Sequence, residues 1–121
     1  MATFLSPAWV ASLARAAGAA GVDPEVTLTV RQVVDDVAWT VRMADGQVTV
    51  DPGDAGEADV TFVTDRSTAE ALVKGDLGAQ DALLVGRLRM LGDVAALLRV
   101  APALAVLPDL FAAVRSDTNY D

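Results

Sequence analysis

An α+β fold is what the sequence predicts, and two changes of hydrophobic period predict it. Apolar residues recur at helical spacing from Trp9 to Ala20, then at every second residue from Val26 to Phe62, then at helical spacing again after Thr64. A third observation sets the scale. At 121 residues, the chain fits one domain that can bury a core without disulfide or metal staples. The expectation is therefore a single domain over residues 1–121, with 1–5 and 116–121 frayed.

The elements follow in order. Ser6-Pro7 reads as a helix N-cap followed by proline at the first helical position, where its missing N–H costs nothing. Leu5 and Val10 hold the positions of a hydrophobic staple. Trp9, Leu13, Ala17 and Ala20 form one apolar stripe, and Gly18 or Gly21 can end the helix. From Glu25 the period becomes two. Val26, Leu28 and Val30 alternate with Thr27, Thr29 and Arg31, and Val37, Trp39, Val41 and Met43 with Ala38, Thr40 and Arg42. Asp45-Gly46 is a tight-turn signal, Val48 and Val50 continue beyond it, and Asp51-Pro52-Gly53 is another turn. Val60 and Phe62 open a fourth strand. The pattern reads as an antiparallel meander with one apolar face and one face of Thr, Arg and Gln that can meet water.

Beyond Thr64, Asp65 or the capping-box run Ser67-Thr68-Ala69-Glu70 starts a helix that Gly75 stops. A short helix covers about Ala79 to Val85 and closes at Gly86. Arg87 to Leu91 alternate as a short strand that Gly92-Asp93 ends. The helix from Val94 breaks near Pro102, and another starts at Pro108.

Composition narrows the chemistry. Hydrophobic residues make up 53% of the chain and aromatics only 5%, so the apolar mass is Ala, Val and Leu. With no Cys and no His, disulfides, thiolate nucleophiles, Cys/His metal cages and histidine triads are excluded. Seventeen acids against nine bases leave a net charge of −8, which repels nucleic acid and anionic membranes. No signal peptide is read at the N-terminus, and Arg99 and Asp109 interrupt the apolar stretch from Val94 to Val114 too early for a spanning helix. The expectations are a cytoplasmic protein, no stable membrane insertion, no cofactor and no enzyme activity.

The segment Ala58-Asp-Val-Thr-Phe-Val-Thr-Asp65 leads into a helix ending Lys74-Gly75-Asp76-Leu77. The run Ala82-Leu-Leu-Val-Gly-Arg-Leu-Arg-Met-Leu-Gly-Asp93 follows. This ordered set, with Trp39 and Asp45-Gly46 upstream, resembles the sterol carrier protein type two domain family across nearly the whole chain. The resemblance implies a five-stranded, mostly antiparallel sheet covered by helices on one face, enclosing an apolar tunnel. Members of that family bind sterols, fatty acids or acyl chains, and some are accessory modules of enzymes. A ratio of eight Arg to one Lys fits a GC-rich bacterial genome.

Candidate lining residues of such a tunnel are Trp39, Phe62, Leu72, Leu83, Leu84, Leu88, Met90, Leu97, Leu98, Leu104, Leu107 and Phe111. Leu110 is a further member of this apolar set. Each alone is as well explained by plain core packing. The segments Ala95–Val100 and Ala103–Val114 are apolar on nearly every side and need cover on two faces, from a ligand, a partner chain or the core. A homodimer built on them is the alternative to lipid binding. Asp51, Asp54, Glu57 and Asp59 lack EF-hand spacing and read as a solvated turn, as do Asp35-Asp36. Arg87 and Arg89 either meet an anionic headgroup at a tunnel mouth or form the wet side of an edge strand. No metal site and no catalytic residue is assigned.

Overall fold

The computed structural model describes residues 2–54, 56–93, 95 and 106–120, with residues 79, 80 and 106–108 described in backbone only. Helix α1 (Pro7–Ala19) begins as its sequence dictates: the Ser6 hydroxyl accepts the Trp9 N–H at 3.2 Å, and Pro7 occupies the first turn. Its buried face is Trp9, Val10, Leu13 and Ala17. The helix does not stop on a glycine. Gly18 stays helical, Ala20 turns extended, and Gly21 goes on to bridge Gln47.

Strands β2 (Leu28–Val34), β3 (Val37–Ala44) and β4 (Gln47–Pro52) form the expected antiparallel meander. Asp45 (φ 55°) and Gly46 (φ 77°) make its tight turn, with the positive φ pair that a right-twisted hairpin needs. The fourth strand departs from the expectation. β5 (Val60–Thr64) does not extend the meander past β4 but lies parallel to β2, and β6 (Leu88–Gly92) pairs beyond it, giving the order β4-β3-β2-β5-β6. The intervening loop explains the crossing. Thr40 Oγ1 donates to the Gly53 carbonyl (3.1 Å), Arg31 Nη2 donates to the Gly56 carbonyl (2.9 Å), and the Asp59 carboxylate accepts the Thr29 N–H (2.8 Å). These bonds draw the chain over the outer face of the sheet and deliver it beside β2.

Asp65 caps α2 (Arg66–Lys74) by accepting the Thr68 N–H at 2.7 Å, and that bond holds its carboxyl below the usual carboxylate range. Gly75, at φ 82°, closes the helix in the left-handed conformation that other residues enter at a cost. Helix α3 (Ala79–Leu84) leads to β6 (Leu88–Gly92), which pairs antiparallel with β5. Gly92 has φ 114°, and a Cβ there would collide with the Asp59 carbonyl. Helix α4 (Val106–Val114) begins two residues before Pro108, which sits in the first turn, where its missing N–H costs no intrahelical bond.

The chain ends also differ from the expectation of fraying. After a 3-10 turn (Arg115–Asp117), β7 (Thr118–Asn119) pairs in parallel with β1 (Ala2–Thr3), and the Phe4 N–H donates to the Asn119 carbonyl at 2.7 Å. Thr118 is buried: its hydroxyl accepts the Trp9 Nε1–H at 3.0 Å and donates to the Val114 carbonyl at 2.7 Å. Nothing in the polar run Ser116–Asp121 signals this, because the bond depends on an indole 109 residues away in sequence.

A half-open apolar face as the candidate ligand site

One face of the five-stranded sheet carries the apolar side chains, and the register sorts them into rows. Val48, Met43 and Leu28 form one row. Val50, Val41, Val30 and Val60 form the next. All seven are buried, and α1 packs along β4 beside them. Above these rows, Trp9 meets Trp39 edge-to-face at 5.4 Å and Phe4 at 5.0 Å, and stacks on Phe111 at 6.4 Å. That part of the molecule is closed.

The following row reads Pro52, Trp39, Gln32, Phe62, Met90 across β4, β3, β2, β5 and β6. Here burial is uneven. Trp39 and Phe62 are buried, whereas Gln32 between them and Met90 at the edge are half-buried. Leu72 from α2 and Phe111 from α4, two helices in mutual contact, are likewise half-buried against the core. The next row, Val34, Thr64 and Leu88, is closed by Leu88 on β6 and by a bond from Thr64 Oγ1 to the Arg87 carbonyl (2.8 Å).

Of the twelve residues the sequence singles out as lining, three (Trp39, Phe62 and Leu88) are buried on this face, and Leu72, Met90 and Phe111 stand half-buried around it. Leu83 and Leu84 do not join them. They are 38% and 84% exposed, with Val85 at 67%. A six-residue helix can bury only one narrow face, and among the described side chains of α3 only Ala82 is buried. Leu97, Leu98 and Leu104 lie outside the described residues, and Leu107 is described in backbone only.

Gln32 corrects the sequence pattern. Its residue type places it with the wet Thr/Arg/Gln face, yet it stands in phase with Leu28, Val30 and Val34 on the apolar side. The phase itself carries the signal: residue 32 is even-numbered in a strand whose inward residues are all even. Trp9 belongs to the helix stripe by sequence, but its place at the centre of an aromatic cluster with Phe4, Trp39 and Phe111 emerges only in the tertiary structure.

The charged residues have structural tasks. Asp51 pairs with Arg42 (3.0 Å), Asp59 accepts the Thr29 N–H, and the Asp35 carboxylate accepts the Arg66 N–H (3.1 Å). Arg87 Nε donates to Thr68 Oγ1 (3.2 Å), while Arg89 is exposed on the outer face of β6. Arg115 Nε donates to the Val73 carbonyl (2.6 Å), tying the end of α4 to α2. Burial pushes the Tyr120 hydroxyl pKa up. Among the described residues, no three His, Cys, Asp or Glu side chains converge to hold a metal ion, and no helix is long and apolar enough to cross a membrane. An open depression on the exposed side of α1, lined by Ala2, Ala8, Ala11, Ser12, Arg15 and Asp117, contains none of the lining candidates.

Residues 12–105 match the model of the SCP-2 sterol transfer family. Among solved structures, the chain is similar to a crystal structure of sterol carrier protein 2, at 18% identity and a TM-score of 0.68, covering 93% of this chain and 97% of that one. It is similar to a conserved hypothetical protein from Thermus thermophilus, possibly a sterol carrier protein, at 21% identity and TM-score 0.61, covering 96% and 90%. It is also similar to palmitated SCP2L2 from Aedes aegypti, at 22% identity and TM-score 0.59, covering 88% and 95%. A sec-alkyl sulfatase, PisA1, matches over 60% of this chain at a TM-score of 0.51, and the chain spans only 12% of that enzyme. No curated protein matches the chain. At these identities the structural matches establish the fold: an α+β sheet of five mostly antiparallel strands with helices.

Proposed function

Because the chain belongs to the SCP-2 sterol transfer family, we propose that it binds and carries an apolar small molecule, with a fatty acyl or sterol-like skeleton, on the inner face of its sheet. The row Trp39–Gln32–Phe62–Met90 is the observation that carries this. It is an apolar, helix-side surface whose members, with Leu72 and Phe111, are not all sealed by the described chain. A ligand laid on this row removes apolar area from water at roughly 25 cal/mol per Å². Burial and shape do the work, and no bond is made or broken. A palmitated relative of the same fold supports an acyl chain as one occupant.

Native mass spectrometry of the purified protein, followed by uptake of a fluorescent fatty acid, tests the proposal. A retained lipid mass or saturable uptake supports it, and an empty protein that takes up neither fatty acid nor sterol overturns it. Trp9 and Trp39 flank the row, so their emission reports occupancy directly.

An interaction domain is the second reading, favoured by a separate surface. Leu83, Leu84 and Val85 follow one another in the open, and Leu91 on the edge strand is 49% exposed. Sedimentation of the ligand-free protein decides it: a concentration-dependent dimer that Leu84→Ser abolishes favours association, and a monomer at all concentrations rejects it.

A further inference from the structure

Besides Thr64 in the last row, one polar side chain stands among the apolar rows of the sheet's inner face. Gln32 has Trp39 as its Cα partner on β3 and Phe62 on β5, and Met90 lies one strand further. Its neighbours along β2 on the same face are Val30 and Val34, both buried. Cross-strand partners bring their Cβ atoms to about 5 Å, so Gln32 stands between two aromatic residues on the same face. Gln32 is half-buried, and among the described residues its side chain makes no hydrogen bond. Its amide is not among the buried polar groups that lack a partner, so water reaches it in the ligand-free protein. A ligand laid over it displaces that water, and an unpaired amide then costs free energy that an apolar side chain of the same size would not.

We propose that Gln32 is the polar reader of the ligand face, and that it selects an apolar molecule carrying a neutral hydroxyl or carbonyl group. The inference rests on the ligand-binding reading above and specifies its ligand class. An amide offers both a donor and an acceptor, so it can pair with an alcohol, a ketone or an ester. A free carboxylate is a poor match. It would meet the amide oxygen as well as its N–H, and no described strand residue in these rows supplies a cation. The arginines of the sheet are turned to the other face or its rim: Arg31 reaches the Gly56 carbonyl, Arg42 pairs with Asp51, and Arg89 is exposed. An alkane would leave the amide unpaired.

The test uses the whole chain and a matched set of 1-dodecanol, dodecanoate and dodecane, read by Trp9 and Trp39 fluorescence. The wild-type protein is expected to bind dodecanol about tenfold more tightly than dodecane, the equivalent of ~1.4 kcal/mol for one hydrogen bond, and more tightly than dodecanoate. Gln32→Met is expected to bring the alcohol-to-alkane ratio to about one while alkane affinity holds or rises. Gln32→Leu provides the same comparison if the first variant does not fold. Thermal denaturation of the ligand-free variants is expected to give a Tm no lower than wild type, since no bond is lost. A wild-type protein that binds all three equally, or a Gln32 variant that keeps the alcohol preference, overturns the role of Gln32 and leaves the ligand face intact. A wild-type protein that binds none of the three overturns the ligand face itself, and this inference with it.

Discussion

The two halves of the sheet's inner face are built from similar residues and finished differently. Beneath α1, the rows Val48–Met43–Leu28 and Val50–Val41–Val30–Val60 are wholly buried, and Trp9 anchors the cluster above them through three aromatic contacts and a hydrogen bond to Thr118. One row further along the strands, Gln32 on β2 and Met90 on β6 remain half-buried, as do Leu72 and Phe111 opposite. The first half stabilises the fold. The second leaves apolar surface and one amide incompletely covered, and it is the part that the proposed function assigns to a ligand. A fully packed interior has no room to exchange a ligand, so on the proposed function the asymmetry of closure within one sheet would divide stability from binding.

The largest expected break is in the closed half. Trp9→Ala removes the hub of the aromatic cluster and the indole N–H that the Thr118 hydroxyl accepts, and should cost about 3–5 kcal/mol in denaturant unfolding. The β1–β7 pairing should loosen with it, visible as faster amide exchange at Phe4. On the open half, Gly92→Ala places a Cβ against the Asp59 carbonyl at φ 114°, and about 2 kcal/mol or more should be lost as β6 shifts from β5. Unlike Trp9→Ala, it should also weaken ligand uptake.

Asp65→Ala sharpens the contrast at a smaller scale. The cap it removes from α2 is worth about 1 kcal/mol at neutral pH. Because the folded-state pKa of Asp65 lies below the ordinary value of 3.8, this stabilisation is present above that value and is lost as the pH falls through the folded pKa. Wild type and variant should therefore converge in stability on acidification, measurable by thermal melts from neutral to acidic pH. The smallest effect is expected outside both halves. Leu84→Ser, at a position 84% exposed, should change stability by less than about 0.5 kcal/mol and leave uptake unaltered.

Much of this is legible in the chain. The N-cap at Ser6-Pro7, the turn at Asp45-Gly46, the Asp65 cap and the Gly75 stop are local, and local chemistry is written in adjacent residues. Phe62, Leu88 and Trp39 are readable as inward because their alternation is unbroken. Leu83 and Leu84 are not readable as outward: every residue from Ala79 to Val85 is apolar except Gln80 and Asp81, and only packing selects which face is buried. Gln32 is misplaced by any reading that lets residue chemistry outweigh phase. The position of β5 beside β2 rests on bonds from Thr40, Arg31 and Asp59 to distant backbone, which no periodicity encodes.

By itself the sequence determined that this is an α+β chain with an apolar helix-side face, and that it has neither histidine nor cysteine for chemistry. Periodicity and residue type settle such matters within a few positions along the chain. The tertiary structure decided the rest: the crossover that makes β5 parallel to β2, the joining of the chain ends through Trp9 and Thr118, and the register that sets Gln32 between Trp39 and Phe62. Each depends on contacts between residues far apart in sequence, where burial and register act and local pattern does not.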